Sequence, residues 1–195
     1  MDNPLEIFAA EYERAKSAGA DWPEACALAT ADASGRPAVR MVLFRGIVAA
    51  GPDLGVRFFT NYESSKARDL AENPRAAICV HWNKIQKQIR LEGRVEKASA
   101  AESDAYFAQR PRMSQVGAWA SDQSRPVDDY ATFEARVREV ERQYEGRDVP
   151  RPPHWGGYRL VPSRVEIWTE VEFRLHKREL FTRDGERWDK SLLFP

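Results

Sequence analysis

The chain has 195 residues, enough for one domain with a sizeable core, and its 30 basic residues balance its 30 acidic ones. A nucleic-acid binder usually carries a basic excess or stripe, so a formal net charge of zero argues against that class. Hydrophobic residues make up 43% and charged residues 31%, an ordinary globular balance with no apolar run long enough for a membrane span.

In chain order, Pro4 to Ala18 is expected to form a helix, with Leu5, Phe8, Ala9 and Tyr12 at helical spacing and Gly19 closing it. Ala25–Ala31 and Ala38–Arg45, joined by Ser34-Gly35-Arg36-Pro37, read as a β-hairpin, and Val56–Thr60 as a third strand. Glu63–Asn73 reads as a short helix stopped by Pro74, followed by a strand over Arg75–Trp82. Ile85 to Val95 alternates, with Ile85, Ile89, Leu91 and Val95 on one side and Gln86, Gln88, Arg90, Glu92 and Arg94 on the other.

Ser99 and Glu102 have capping-box spacing and open a helix toward Gln109. A longer helix is expected from Asp128 to Tyr144, with Tyr130, Phe133, Val137, Val140 and Tyr144 as a core-packing stripe. Pro150, Pro152 and Pro153 mark a connector, and Gly157–Leu193 reads as three further strands with an Asp184-Gly185 turn. Hairpins with a few inserted helices predict an α+β, mainly β fold: an antiparallel barrel with peripheral helices. One domain over 1–195 is expected, with a helical insert at about 99–146.

Cys26 and Cys79 sit in apolar strands and read as reduced thiols, and no basic-then-apolar leader opens the chain, so a cytoplasmic location is expected. His81, His154 and His176 are isolated from one another, so no metal is expected.

Four segments carry chemistry. Residues 110–124 set Arg110 and Arg112 beside Ser114, Gln115, Ser121, Gln123 and Ser124, a donor set suited to a small anion. Arg174-Leu175-His176-Lys177-Arg178, read as a strand, puts Arg174, His176 and Arg178 on one face. That face is either solvated and neutralised by nearby Glu, or crossed by an anionic ligand. Arg40 and Arg45 flank an apolar run and point to opposite faces, so one phosphate gripped by both is not expected. Ser64-Ser65-Lys66 occupies a first helical turn, where free N–H groups favour an anion, although serine caps helices for simpler reasons. Trp82, Trp119, Trp155 and Trp168 fall near these polar groups, either as walls for a planar heterocycle or as core. Gly-x-Ser-x-Gly, Walker and dinucleotide glycine patterns are absent, which leaves hydrolase and nucleoside-triphosphate chemistry unsupported.

An ordered series runs along nearly the whole chain. It comprises Asn3-Pro4-Leu5, Arg40-Met41-Val42-Leu43, Phe59-Thr60-Asn61, Asn73-Pro74-Arg75, Arg110-Pro111-Arg112-x-Ser114-Gln115-x-Gly117-Ala118-Trp119, Trp155-Gly156-Gly157, Arg174-Leu175-His176-x-Arg178 and terminal Pro195. Each piece is weak alone, but the set resembles the pyridoxamine 5′-phosphate oxidase family.

The resemblance implies a homodimer of split β-barrels with FMN at the subunit interface and C-terminal dimerisation strands at about 155–195. It implies FMN contacts from Arg40, Met41, Val42, Leu43, Arg45, Phe59, Thr60, Ser65, Lys66 and Gln88, with Gln123, Ser124, Trp168 and Arg178 completing the shell from the other subunit. Substrate phosphate would meet Arg45, Tyr106, Arg110 and Ser114, with Arg174 and His176 as catalytic residues over the pyridine ring. The reaction it implies is hydride transfer from the C4′ carbon of pyridoxamine or pyridoxine 5′-phosphate to flavin N5. Reoxidation by O2 would give H2O2, and water would release ammonia from the imine of the amine substrate.

The chain departs from the family pattern at Arg45, commonly Lys; at Ser65, often an Arg on the FMN phosphate; and at Lys177, commonly Asp. It also starts close to the first core helix, so coverage by the longer N-terminal arm of some members is not expected. Two other readings compete: an oxidase of the same fold acting on another ring, such as a phenazine precursor, and a non-catalytic FMN- or pyridoxal-phosphate-binding protein.

Overall fold

A computed structural model of the chain describes residues 3–195. Helix α1 (Pro4–Ser17) is capped by Asn3, whose side chain accepts from the Leu5 N–H, and it buries Leu5, Phe8 and Ala15. Five strands follow with one intervening helix: β1 (Ala25–Ala31), β2 (Pro37–Val48), β3 (Gly55–Asn61), α2 (Ser65–Glu72), β4 (Arg75–Trp82) and β5 (Lys87–Lys97). Helices α3 (Ala100–Ala108), α4 (Arg112–Ala120) and α5 (Tyr130–Gln143) then intervene before β6 (Trp155–Thr169), β7 (Lys177–Asp184) and β8 (Arg187–Leu193).

The strands are antiparallel in the order β3-β2-β1-β4-β5-β6-β7-β8, and an extra β3–β6 pairing closes the first six into a barrel. Closure is possible because β6 is long enough to serve two neighbours along one edge. Trp155–Leu160 pairs with β3 and Arg164–Thr169 with β7, while β5 runs along the other edge. Between those halves Pro162 opposes Gly93 at a register shift. A Cβ on Gly93 would lie 2.1 Å from the Val161 carbonyl oxygen, so only glycine lets the two backbones come this close. This is the mainly β, split-barrel architecture expected, with its helices at the periphery.

Leu28, Phe58, Ile78, Ile89, Leu91 and Leu160 fill the barrel. A smaller cluster of Phe107, Val116, Val149 and Trp155 supports α3 and α4. Cys26 and Cys79 are free thiols, and burial pushes the Cys26 thiol up to about 12. No helix among the described residues is long and apolar enough to cross a membrane.

Three local expectations are corrected, and one helix was not anticipated. Ile85 belongs to a short turn, not to the alternating strand, because Gln86 adopts a left-handed conformation and β5 starts at Lys87. Residues 112–120 form helix α4, whose polar composition hid a helix that buries only Val116 and Ala120. The stripe on α5 is not core: no residue of that helix is buried, Val137, Val140 and Tyr144 rest half-buried on the smaller cluster, and Tyr130 is exposed. Arg174 lies in a turn where Phe173 and Arg174 have φ of 56° and 62°, so Arg174, His176 and Arg178 do not share a strand face.

Candidate functional site

A cleft of 780 Å³ opens between β2, β3 and the start of α2 on one side and the α3–α4 junction on the other. Arg40, Met41, Val42, Leu43 and Arg45 of β2 line it, with Phe59 and Thr60 of β3 and Lys66 of α2. Tyr106, Arg110, Ser114 and Gln123 close it, together with Trp155 at the start of β6. Three distant sequence segments thus converge because β3 pairs with β6 and α3 follows directly from β5.

The apolar wall is aromatic. Phe59 stacks on Tyr106 with centroids 4.0 Å apart and on Trp155 at 5.6 Å, and the Tyr106 and Trp155 planes differ by only 6°. The Arg110 guanidinium lies 4.6 Å from the Trp155 ring centroid, held by its own positive charge against the ring face. Nη1 of Arg110 is buried with no hydrogen-bond partner among the described residues. Burial lowers the pKa of Arg110, the neighbouring Arg45 adds to that, and only Tyr106 opposes it. A half-buried cation facing another cation, with one buried donor unpaired, fits an anion.

Lys66 forms a second cationic point. It is 8% exposed, and its Nζ donates to Gln123 Oε1 at 2.8 Å and to Thr60 Oγ1 and Ser64 Oγ at 3.2 Å. Burial pulls its pKa down to about 8, with a further push from Arg40 and a partial restraint from Asp69. Arg40 is tethered through Nη1 to Thr30 Oγ1 at 2.7 Å and to the Leu28 carbonyl at 3.1 Å, and it pairs with Asp69 at 3.6 Å. Arg45 reaches Glu24 at 3.4 Å.

The remaining expected site residues form a separate group. Gln88 of β5 lies opposite Trp168 of β6, which lies opposite Arg178 of β7. Trp168 packs against the His176 ring at 4.5 Å, and the Val171 N–H donates to His176 Nδ1 at 3.3 Å. Arg178 clamps the buried Glu166 carboxylate at 2.8 and 3.2 Å, and Arg90 binds the same carboxylate. Arg174 projects into solvent on the turn after β6.

Two placements differ from expectation. Gln123 bonds to Thr60 and Lys66 of its own chain, so it belongs to the cleft of its own protomer. Ser65, the first residue of α2, does not line the cleft, and its Oγ accepts from Arg68. Ser124, given to the other subunit's shell, is exposed at φ 71° and does not line the cleft of its own chain. Trp82 packs in the core against Phe8, and Arg112 caps α5 through the Tyr144 and Arg147 carbonyls.

Sequence reading missed Gln109 and Trp22, which line the cleft, and two acids: Asp69, which pairs with Arg40 in the cleft, and Glu166, which pairs with Arg178 in the separate group. Asp69 stands three residues after Lys66 on one helical face, a spacing that could have flagged it. Glu166 left no local signal.

Barrel and cleft define a split-barrel protein whose basic, aromatic-walled site suits a phosphorylated planar ligand. Residues 18–144 match the pyridoxamine 5′-phosphate oxidase family, and residues 155–195 match the pyridoxine 5′-phosphate oxidase C-terminal dimerisation region. The chain belongs to the pyridoxamine 5′-phosphate oxidase family, a family of oxidoreductases.

Among its relatives, the pyridoxine/pyridoxamine 5′-phosphate oxidase of Anaeromyxobacter dehalogenans is 50% identical, over 99% of this chain and 96% of that one. That of Sphingopyxis alaskensis is 48% identical, over 100% of this chain and 88% of that one. The crystal structure of PhzG from Burkholderia lata, in complex with tetrahydrophenazine-1-carboxylic acid, superposes with a TM-score of 0.93 at 31% identity, covering 100% of this chain and 94% of that one. An FMN-binding protein of Nostoc punctiforme shares the fold, with a TM-score of 0.76 at 20% identity over 97% of this chain and 96% of that one.

Proposed function

We propose that this protein oxidises pyridoxamine 5′-phosphate and pyridoxine 5′-phosphate to pyridoxal 5′-phosphate, using FMN and O2 and releasing H2O2, with ammonia from the amine. The observation that carries the reading is Arg110, a half-buried guanidinium whose buried Nη1 is left unpaired in a cleft that also holds Arg45 and Ser114. We assign it, with Tyr106, Arg45 and Ser114, to the substrate phosphate. Relatives near 50% identity that carry this activity in their names support the reading of the activity.

Lys66, Arg40, Thr60 and Gln123, with the β2 backbone from Arg40 to Leu43, are assigned to FMN, whose phosphate would supply the negative charge that Lys66 lacks. When bound, FMN would take two electrons from the substrate and pass them to O2. Gln88, Trp168 and Arg178, with Arg174 and His176, lie outside this cleft, so we assign them to the cleft of a partner subunit across the C-terminal dimerisation region. There Arg174 and His176 would lie over the substrate ring, and His176 Nε2 can hold a proton toward it. The aromatic wall would exclude water and orient the ring. Free Cys26 and Cys79 fit a reducing compartment, and we place the protein in the cytoplasm.

A second reading, a flavin oxidase of a phenazine-type ring acid, is favoured by the likeness to PhzG. The phosphate requirement separates the two. Our reading expects pyridoxine 5′-phosphate to be oxidised and pyridoxine not, and Arg110→Ala to raise KM about 100-fold with kcat little changed. Equal rates with and without the phosphate, or an unchanged KM, would exclude it.

A further inference from the structure

A second basic concavity lies where β6 changes neighbours, and it shares no lining residue with the cleft. Its volume is 460 Å³, and Arg75, Arg94 and Arg183 line it with Pro74, Pro162 and Ser163. Arg75 and Arg94 are direct cross-strand partners on β4 and β5, an arrangement that like charges disfavour. Among the described residues none of the three arginines has a carboxylate partner, whereas Arg159, close by on β6, pairs with both Asp53 and Glu96. The Arg183 Nε is buried without a hydrogen-bond partner.

The fold forces this gathering. Gly93 brings the β5 backbone against Val161 and Pro162, which sets Arg94 at the break between the two halves of β6. β7 then returns along the second half and delivers Arg183 to the same place. Three planar guanidinium forks around one hollow match a tetrahedral oxyanion, which accepts on several sides at once.

We propose that this concavity is a second anion site, which takes a phosphate dianion, free or as the monoester of a small metabolite. It is independent of the reading of the cleft. The bound dianion would neutralise the Arg75–Arg94 pair and give the Arg183 Nε an acceptor, so occupancy would stabilise the fold.

The test uses FMN-saturated protein carrying Arg110→Ala, so that the cleft's own phosphate contact is disabled. Inorganic phosphate and glycerol 3-phosphate are titrated by calorimetry and by melting temperature, against chloride at matched ionic strength. The proposal expects one site per chain and a melting temperature raised above the chloride blank. Adding Arg75→Gln or Arg94→Gln should weaken binding by about tenfold or more. The same changes should raise the melting temperature in the absence of phosphate, because the like-charge pair is gone. Binding of glycerol 3-phosphate alone identifies a monoester site, and equal binding of inorganic phosphate identifies a site for the free ion. Melting temperatures no higher than with chloride, or unchanged affinity in both Gln variants, would overturn the proposal.

Discussion

Replacing Lys66 by Met should make the cofactor-free protein more stable while weakening its hold on FMN. The Lys66 ammonium is buried beside Arg40, and its pKa falls from 10.5 to about 8. That gap corresponds to about 3 kcal/mol of cost for the charged amine in the folded state. The folded pKa lies below the unfolded one, so the unfolded chain binds more protons between them. Stability should therefore rise as pH climbs from about 8 toward 10.5, and the full cost is present below that window.

Met keeps the length and removes the charge. Thr60 Oγ1 still donates to Gln123 Oε1 at 2.9 Å and Ser64 Oγ to the Asn61 carbonyl at 2.8 Å, so no acceptor is stranded. After the loss of the three ammonium hydrogen bonds, a net gain of about 1–2 kcal/mol at neutral pH is expected, raising Tm by about 2–8 °C. Urea denaturation at pH 7 and pH 10 measures it, and the gain should shrink at the higher pH. Flavin fluorescence should show FMN affinity falling about 10- to 100-fold with the lost charge-assisted contact. A variant less stable than the parent at pH 7, or one that binds FMN equally well, would refute the reasoning.

Glu166 is 4% exposed, and although burial pushes its pKa up, Arg178 and Arg90 outweigh that and hold it below the usual range. Its contribution is present above the unfolded carboxylate pKa and is lost as pH falls through the lower folded one. Glu166→Gln should therefore cost about 2 kcal/mol at pH 7, less than a fully buried pair because both arginines are partly exposed, and should flatten the acid limb of a stability–pH curve. If the cleft and the C-terminal group meet across a dimer, Arg110→Ala and Arg174→Ala protomers should complement. Assayed at substrate well below the KM of the Arg110→Ala variant, mixtures formed by co-refolding should recover about a quarter of wild-type activity, and activity no higher than the parents' would place both groups in one chain's site.

Much of the architecture was legible because it rests on local rules. The alternation of Ile89, Leu91 and Val95 marked the buried face of β5, and the Ser99–Glu102 capping box opens α3. The misreadings share a physical origin. Helix α4 covers only a small cluster, so it needs little apolar surface, and Arg174 takes a left-handed turn conformation that a period-two pattern hides. The stripe on α5 is amphipathic in sequence yet only half-covered, since its floor is the smaller cluster and not the barrel. For the site, residue chemistry located Arg110 and Lys66, but their convergence depends on the β3–β6 closure, which no local pattern encodes. The carboxylate Glu166, which orients Arg178, comes from a neighbouring strand and is visible only in three dimensions.

The central claim is tested most directly by aerobic turnover. Purified protein saturated with FMN is mixed with pyridoxine 5′-phosphate, and aldehyde absorbance is followed together with peroxide. The account predicts one H2O2 for each pyridoxal 5′-phosphate formed, with oxygen consumed in step. Bound FMN with neither product would contradict it and leave a flavin-binding protein without this activity.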